Sequence, residues 1–307
     1  MSEPRSVVPI TGVAAGVPFF AVPPLAPPDV AAASGGQPAA PVIVAWHLMD
    51  PPRSEAAFAS ALPMNGLSAW RIYLGLPLCG ARLPPGGTEA LLRLFYQDAV
   101  LNGYGPIADQ GAAEFPAALR ELRQRLGLAD GPIGLVGGSM GSIIAALVLT
   151  ETAPAAGIAV AAAVLISPVT RLQPMVDAIG RRYKVTYPWR PEAMPIASRL
   201  DFVARADEIV RARQPAIRLI VGAEDDRDGF LEPARRLQSE LAGRYDDPSR
   251  VDLVVVPGMG HALADEPGIE PAPQTVHAAA VDRDTVAWFR AHLPGSAIGG
   301  QPEGCRR

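Results

Sequence analysis

The chain has 307 residues, 49% apolar and 19% charged, with 27 basic against 31 acidic side chains and a net charge of −4. That length and apolar share fit one large α/β domain, or at most two small ones, with a sizeable core and exclude a disordered chain. The mild acidity without a long basic run argues against a nucleic-acid partner. Two cysteines, Cys79 and Cys305, with no C-x-x-C pair, argue against a disulfide framework or a thiolate metal site.

The opening stretch MSEPRSVVPITG lacks the basic start and apolar run of a secretory signal, and no uninterrupted run of 18 apolar residues follows anywhere. The expectation is a cytoplasmic protein with no membrane partner. Residues 1–8 and 294–307 read as flexible tails around a single domain over 9–293. Within it, VPFFAV, PVIVAWHL, WRIYLGLPL, IGLVGG, AAVLIS, AIRLIVGA and VDLVVVPG read as strands, bounded by Gly or Pro. Their near-continuous apolar character suits strands buried on both faces of a mostly parallel sheet.

Helical patterns fill the gaps: GTEALLRLFYQDAVLNGYG, EFPAALRELRQRLG closed by Gly127, LDFVARADEIVRAR, FLEPARRLQSELAG and DRDTVAWFRAHL. His277 falls in a Pro-rich link before the last of these, and His292 at that helix's C-terminus. Alternating strands and helices predict a central sheet covered by helices on both faces. The segment 168–199, with Tyr183, Tyr187, Trp189, several prolines and a local basic excess, interrupts the rhythm. It reads either as a lid or pocket wall or as an irregular crossover.

The stretch IGLVGGSMGSIIAAL carries G-x-S-x-G at Gly137, Ser139 and Gly141, with a strand before and a helix after. Such a nucleophile elbow needs glycines because a sharply bent serine backbone leaves no room for Cβ atoms beside it. The helix that begins near Met140 aims its free N–H groups at the site, where they suit a developing oxyanion. A serine hydroxyl also needs a base. Downstream, one strand ends in GAEDDRDGF and the next in GMGHALADEPG, so acids and His261 follow Ser139 in order, each past a strand end. His261 is the expected base. Asp225, three residues after Gly222, is the favoured acid, Asp226 its close rival and Asp228 a weaker one.

These residues resemble the α/β-hydrolase superfamily, and more narrowly its dienelactone-hydrolase and prolyl-oligopeptidase-like esterases. GGSMG, GAEDD and GMGHAL carry the resemblance, which covers about residues 17–293. It implies an α/β-hydrolase fold and a second oxyanion donor after the strand VIVAW, where the family has His-Gly-x and this chain has His47-Leu48-Met49. The implied donor is the Met49 N–H, with Leu48 as rival, beside the Met140 N–H. His47, Leu48, Tyr187 and Trp189 are the expected substrate pocket. Cys79 reads as a small buried residue. The expected function is a serine hydrolase that cleaves small-molecule carboxylic esters through an acyl-enzyme, with no metal and no cofactor. A peptidase, an acyltransferase and a non-catalytic binding protein with a hydrolase-like pocket are the alternatives.

Overall fold

Unbroken apolar runs form the middle of the sheet. Strands β3 (Val42–Trp46) and β5 (Ile133–Gly138) are buried at every position, and β4 (Trp70–Leu74), β6 (Val160–Ile166) and β7 (Ala216–Gly222) over most of their length. In β3, Val42, Val44 and Trp46 enter one core while Ile43 and Ala45 enter the other, so each strand feeds two layers. The computed structural model describes residues 8–24 and 40–297; most of the expected tails 1–8 and 294–307, with Cys305, lies outside them.

Among the described residues the strands make one eight-stranded sheet in the order β1-β2-β4-β3-β5-β6-β7-β8. Here β1 is Ile10–Ala14, β2 is Val17–Val22 and β8 is Val251–Val256. The pairs β1–β2 and β2–β4 are antiparallel, and all others are parallel. Strand β1 was not expected from sequence: its ITGVA stretch is exposed over most of its length and has no apolar run to mark it. A two-residue turn, Ala15 and Gly16, both with positive φ, joins it to β2.

Helices cover both faces. The helix Gly105–Leu126 runs through Pro116 and starts nine residues before the expected EFPAAL stretch. A proline inside a helix costs about 3 kcal/mol. The buried face of Ile107, Ala108, Gly111, Ala112, Phe115, Ala118, Leu119 and Leu122 keeps helical spacing across it, and that packing outweighs the cost. The last helix is also longer than expected, Val276–His292, capped by the Thr275 hydroxyl accepting from the Ala278 N–H. His277 therefore lies in the helix and not in a link. Ser296, assigned to the C-terminal tail from sequence, is fully buried, and its hydroxyl donates to the Phe289 carbonyl at 2.7 Å.

The crossover between β6 and β7 contains the helices Leu172–Tyr183 and Met194–Arg199. Side chains tie it to its surroundings. The Tyr187 hydroxyl donates to Asp98 at 2.6 Å, and the Trp189 indole to Asp177 at 2.9 Å. Arg199 pairs with Asp109 and, at 2.8 Å, with Glu151; Arg205 also reaches Glu151, at 2.9 Å. Burial opposes ionisation of Glu151, but hydrogen bonds and charge from these two arginines together hold its carboxyl below the usual range. No helix among the described residues is long and apolar enough to cross a membrane.

Candidate active site

The parallel strands end together. Trp46 pairs with Gly137, Gly138 with Ile166, and Gly222 with Val256, so the loops after β3, β5, β6, β7 and β8 gather along one edge of the sheet. Open α/β sheets bind ligands at that edge.

Between β5 and the helix Met140–Leu147, Ser139 adopts φ 45° and ψ −112°, a conformation that side chains other than glycine rarely hold. Its N–H donates to the Ile166 carbonyl at 2.9 Å, and its carbonyl accepts from the Ser142 N–H at 2.8 Å and the Ser142 hydroxyl at 2.5 Å. These bonds fix the strained turn from both sides. A Cβ on Gly137 would lie 2.3 Å from the Gly141 carbonyl oxygen, and one on Gly141 would lie 2.3 Å from that of Trp46. Both glycines are therefore needed for the helix to start against β3 and β5.

The Ser139 hydroxyl lies 2.8 Å from His261 Nε2, and His261 Nδ1 lies 2.8 Å from Asp225 Oδ2. The carboxylate accepts a hydrogen bond from the Nδ1–H, which leaves Nε2 as the acceptor for the Ser139 hydroxyl. The Asp225 side chain is only 3% exposed, and its other oxygen accepts from the Asp226 N–H at 2.8 Å. Asp226 turns away. Its carboxylate caps the next helical turn through the Gly229 N–H at 2.8 Å and meets Arg181 at 3.2 Å. Asp228 faces Arg181 as well. Of the three candidate acids, Asp225 alone contacts the imidazole among the described residues.

Two residues near the imidazole were not singled out from the sequence. Ser167, buried at the end of β6 with φ 43°, donates its hydroxyl to the His261 carbonyl at 2.9 Å. Asp50 places Oδ2 3.8 Å from His261 Nε2. Position past a strand end is the signal both share with Ser139. The Phe230 ring packs on the imidazole with centroids 4.4 Å apart.

Solved structures share this architecture. TT1662 from Thermus thermophilus superposes with a TM-score of 0.62 at 17% identity, over 94% of this chain and 98% of that one. A Mycobacterium tuberculosis puromycin-hydrolyzing peptidase gives 0.63 at 18%, over 98% of this chain. The chain spans 43% of that peptidase's length. A cold-adapted esterase from an Arctic intertidal metagenomic library gives 0.50 at 15%, over 93% of this chain and 92% of that one. The chain has the α/β-hydrolase fold. No protein-family model and no curated protein matches the sequence.

Within the hydrolase fold, the loop after β3 departs from the expected pocket. His47 and Leu48 are both fully buried and form no wall open to a substrate. The Leu48 side chain fills the space beside Gly138, where an added Cβ would meet it at 2.3 Å. His47 Nδ1 donates to the Leu48 carbonyl at 2.6 Å, and Nε2 accepts from the Leu76 N–H at 3.3 Å. A neutral imidazole satisfies both bonds, and burial pushes its pKa down to about 4 despite the Leu48 carbonyl. An unfolded histidine takes up its proton near 6.5, so His47 weakens the fold as the pH falls from 6.5 towards 4, by about 3 kcal/mol at most. Urea midpoints measured across that range should fall with pH, and less steeply in His47→Gln.

Tyr187 and Trp189 stack edge-on at 4.7 Å and are spent on Asp98 and Asp177. Met49 is half-buried, and its carbonyl accepts from Arg53 Nε at 2.9 Å. Neither the Met49 nor the Met140 N–H has a protein acceptor among the described residues. Burial pushes the Cys79 thiol up to about 12, so it stays protonated.

The acid and histidine loops approach each other at Gly222, where a Cβ would lie 2.2 Å from the Met259 carbonyl oxygen and 2.4 Å from that of Gly260. Those backbone atoms cannot swing aside as a side chain would. Gly222→Ala is expected to destabilise the fold by about 1–3 kcal/mol, read as a lower denaturation midpoint, and to slow turnover by parting Asp225 from His261.

Proposed function

We propose that the chain is a serine hydrolase that cleaves carboxylic esters of small molecules. The carrying observation is the unbroken line from buried Asp225 through His261 to the Ser139 hydroxyl, with 2.8 Å at each step. In this reading His261 Nε2 takes the Ser139 proton as the oxygen attacks the ester carbonyl. The Met140 and Met49 N–H groups hold the oxyanion. Collapse breaks the bond to the alcohol, which leaves with the proton from His261, and Ser139 keeps the acyl group. Water, deprotonated by His261, then attacks the acyl-enzyme; the acid departs and Ser139 recovers its proton.

A fluorophosphonate probe tests the nucleophile. Labelling of the wild type that is lost in Ser139→Ala supports the reading, and an unlabelled wild type overturns it. Amide cleavage is the second reading, favoured by the fold shared with the puromycin-hydrolyzing peptidase. Matched p-nitrophenyl esters and p-nitroanilides of one acyl group separate the two. Ester turnover should dominate by more than the intrinsic reactivity difference, and preferential anilide cleavage would assign a peptidase.

A further inference from the structure

A carboxylate next to a reacting oxyanion is unfavourable unless something offsets its charge. Asp50 is such a group. It follows the proposed oxyanion donor Met49 directly, and its Oδ2 stands 3.8 Å from the same His261 nitrogen that Ser139 Oγ contacts at 2.8 Å. Its side chain is 52% exposed, so it faces solvent at the mouth of the site. Among the described residues no Lys or Arg pairs with it. Arg53, three residues on, is held elsewhere: its Nε donates to the Met49 carbonyl and both terminal nitrogens bind Glu266.

The loop that carries Asp50 is fixed. The Pro51 carbonyl accepts from the Leu263 N–H at 3.0 Å, and the Arg53 N–H donates to the Gly268 carbonyl at 2.7 Å. These bonds hold the backbone next to Asp50 in place relative to the histidine loop.

We propose that Asp50 is a specificity residue that binds an ammonium group close to the scissile carbonyl, so that the preferred acyl groups are α-aminoacyl groups. An α-ammonium is two bonds from the carbonyl carbon that Ser139 attacks, which matches a carboxylate one contact away from the Ser139–His261 pair. The substrate's charge neutralises Asp50 as the oxyanion forms next to it. A neutral acyl group leaves the carboxylate unpaired, and an anionic one is repelled.

This inference rests on the serine-hydrolase reading, and its test separates the two. Fluorophosphonate labelling of Ser139 is measured in the presence of 1-aminoethylboronic acid or its N-acetyl analogue, each a mimic of the tetrahedral state. In the wild type the free amine should protect Ser139 at about tenfold lower concentration than the acetylated compound. In Asp50→Asn that ratio should collapse towards one. Taking the ratio cancels any change in Ser139 reactivity that the substitution causes for both compounds. Equal protection in the wild type, or a ratio that survives in Asp50→Asn, overturns the assignment of Asp50 while the nucleophile stands. Absence of labelling without any boronate overturns the hydrolase reading itself.

Discussion

Replacing Ser139 by alanine is expected to lower kcat for the proposed ester hydrolysis by about 10⁴- to 10⁶-fold, because no acyl-enzyme can form without the hydroxyl. The fold should survive. The hydroxyl is not what holds the turn: the backbone N–H bonds Ile166 and the carbonyl accepts from Ser142, and both groups remain in the variant. Near-wild-type circular dichroism with lost turnover is the expected pair of results. A further comparison isolates strain. At φ 45° and ψ −112° alanine carries the same Cβ conflict as serine, whereas glycine carries none. Strain at such a position costs about 1–3 kcal/mol, and glycine returns part of that as unfolded-chain entropy. Ser139→Gly should therefore be more stable than Ser139→Ala by about 1 kcal/mol, measured as a shift in denaturation midpoint. Equal midpoints would mean that the turn is not strained.

Asp225→Asn is expected to reduce kcat by about 10⁴-fold with the fold intact. The carboxylate accepts a hydrogen bond from the Nδ1–H, with 2.8 Å between nitrogen and oxygen, and so leaves Nε2 free to receive the Ser139 proton. An asparagine in the same rotamer can instead donate to Nδ1, which moves the imidazole proton to Nε2 and removes the base. Its buried position, 3% exposed, keeps water from substituting for the lost acceptor. Asp226→Ala provides the contrast. It removes the cap on the Gly229 N–H and should cost about 1 kcal/mol of stability, with turnover little changed. A severe loss of kcat in Asp226→Ala with a mild one in Asp225→Asn would reverse the assignment of the two acids.

The neighbouring acids show where sequence reading stops. Asp225 and Asp226 have the same chemistry and adjacent positions, and only the path of the loop decides which one turns inward. That path depends on Gly222 lying against the Met259 and Gly260 carbonyls, a contact between loops 37 and more residues apart in the chain. Leu48 is a similar case. In sequence it replaces the glycine of the family pattern and reads as pocket wall; in the structure it is core, opposite Gly138. Strand β1 carries no such signal, because an exposed edge strand has no buried face to impose a pattern.

The sequence alone determined the middle strands of the sheet, through apolar runs that suit two-sided burial, and the glycines around Ser139, through the steric needs of a tight elbow. Both are local properties of the chain, set by hydrophobicity and by missing Cβ atoms. Tertiary structure decided which acid meets His261, that His47 and Leu48 belong to the interior, and that Asp50 stands beside the histidine 211 residues away in the chain. Those outcomes depend on side-chain direction and on distances between loops from different strands, which parallel packing brings to one edge and local pattern does not encode.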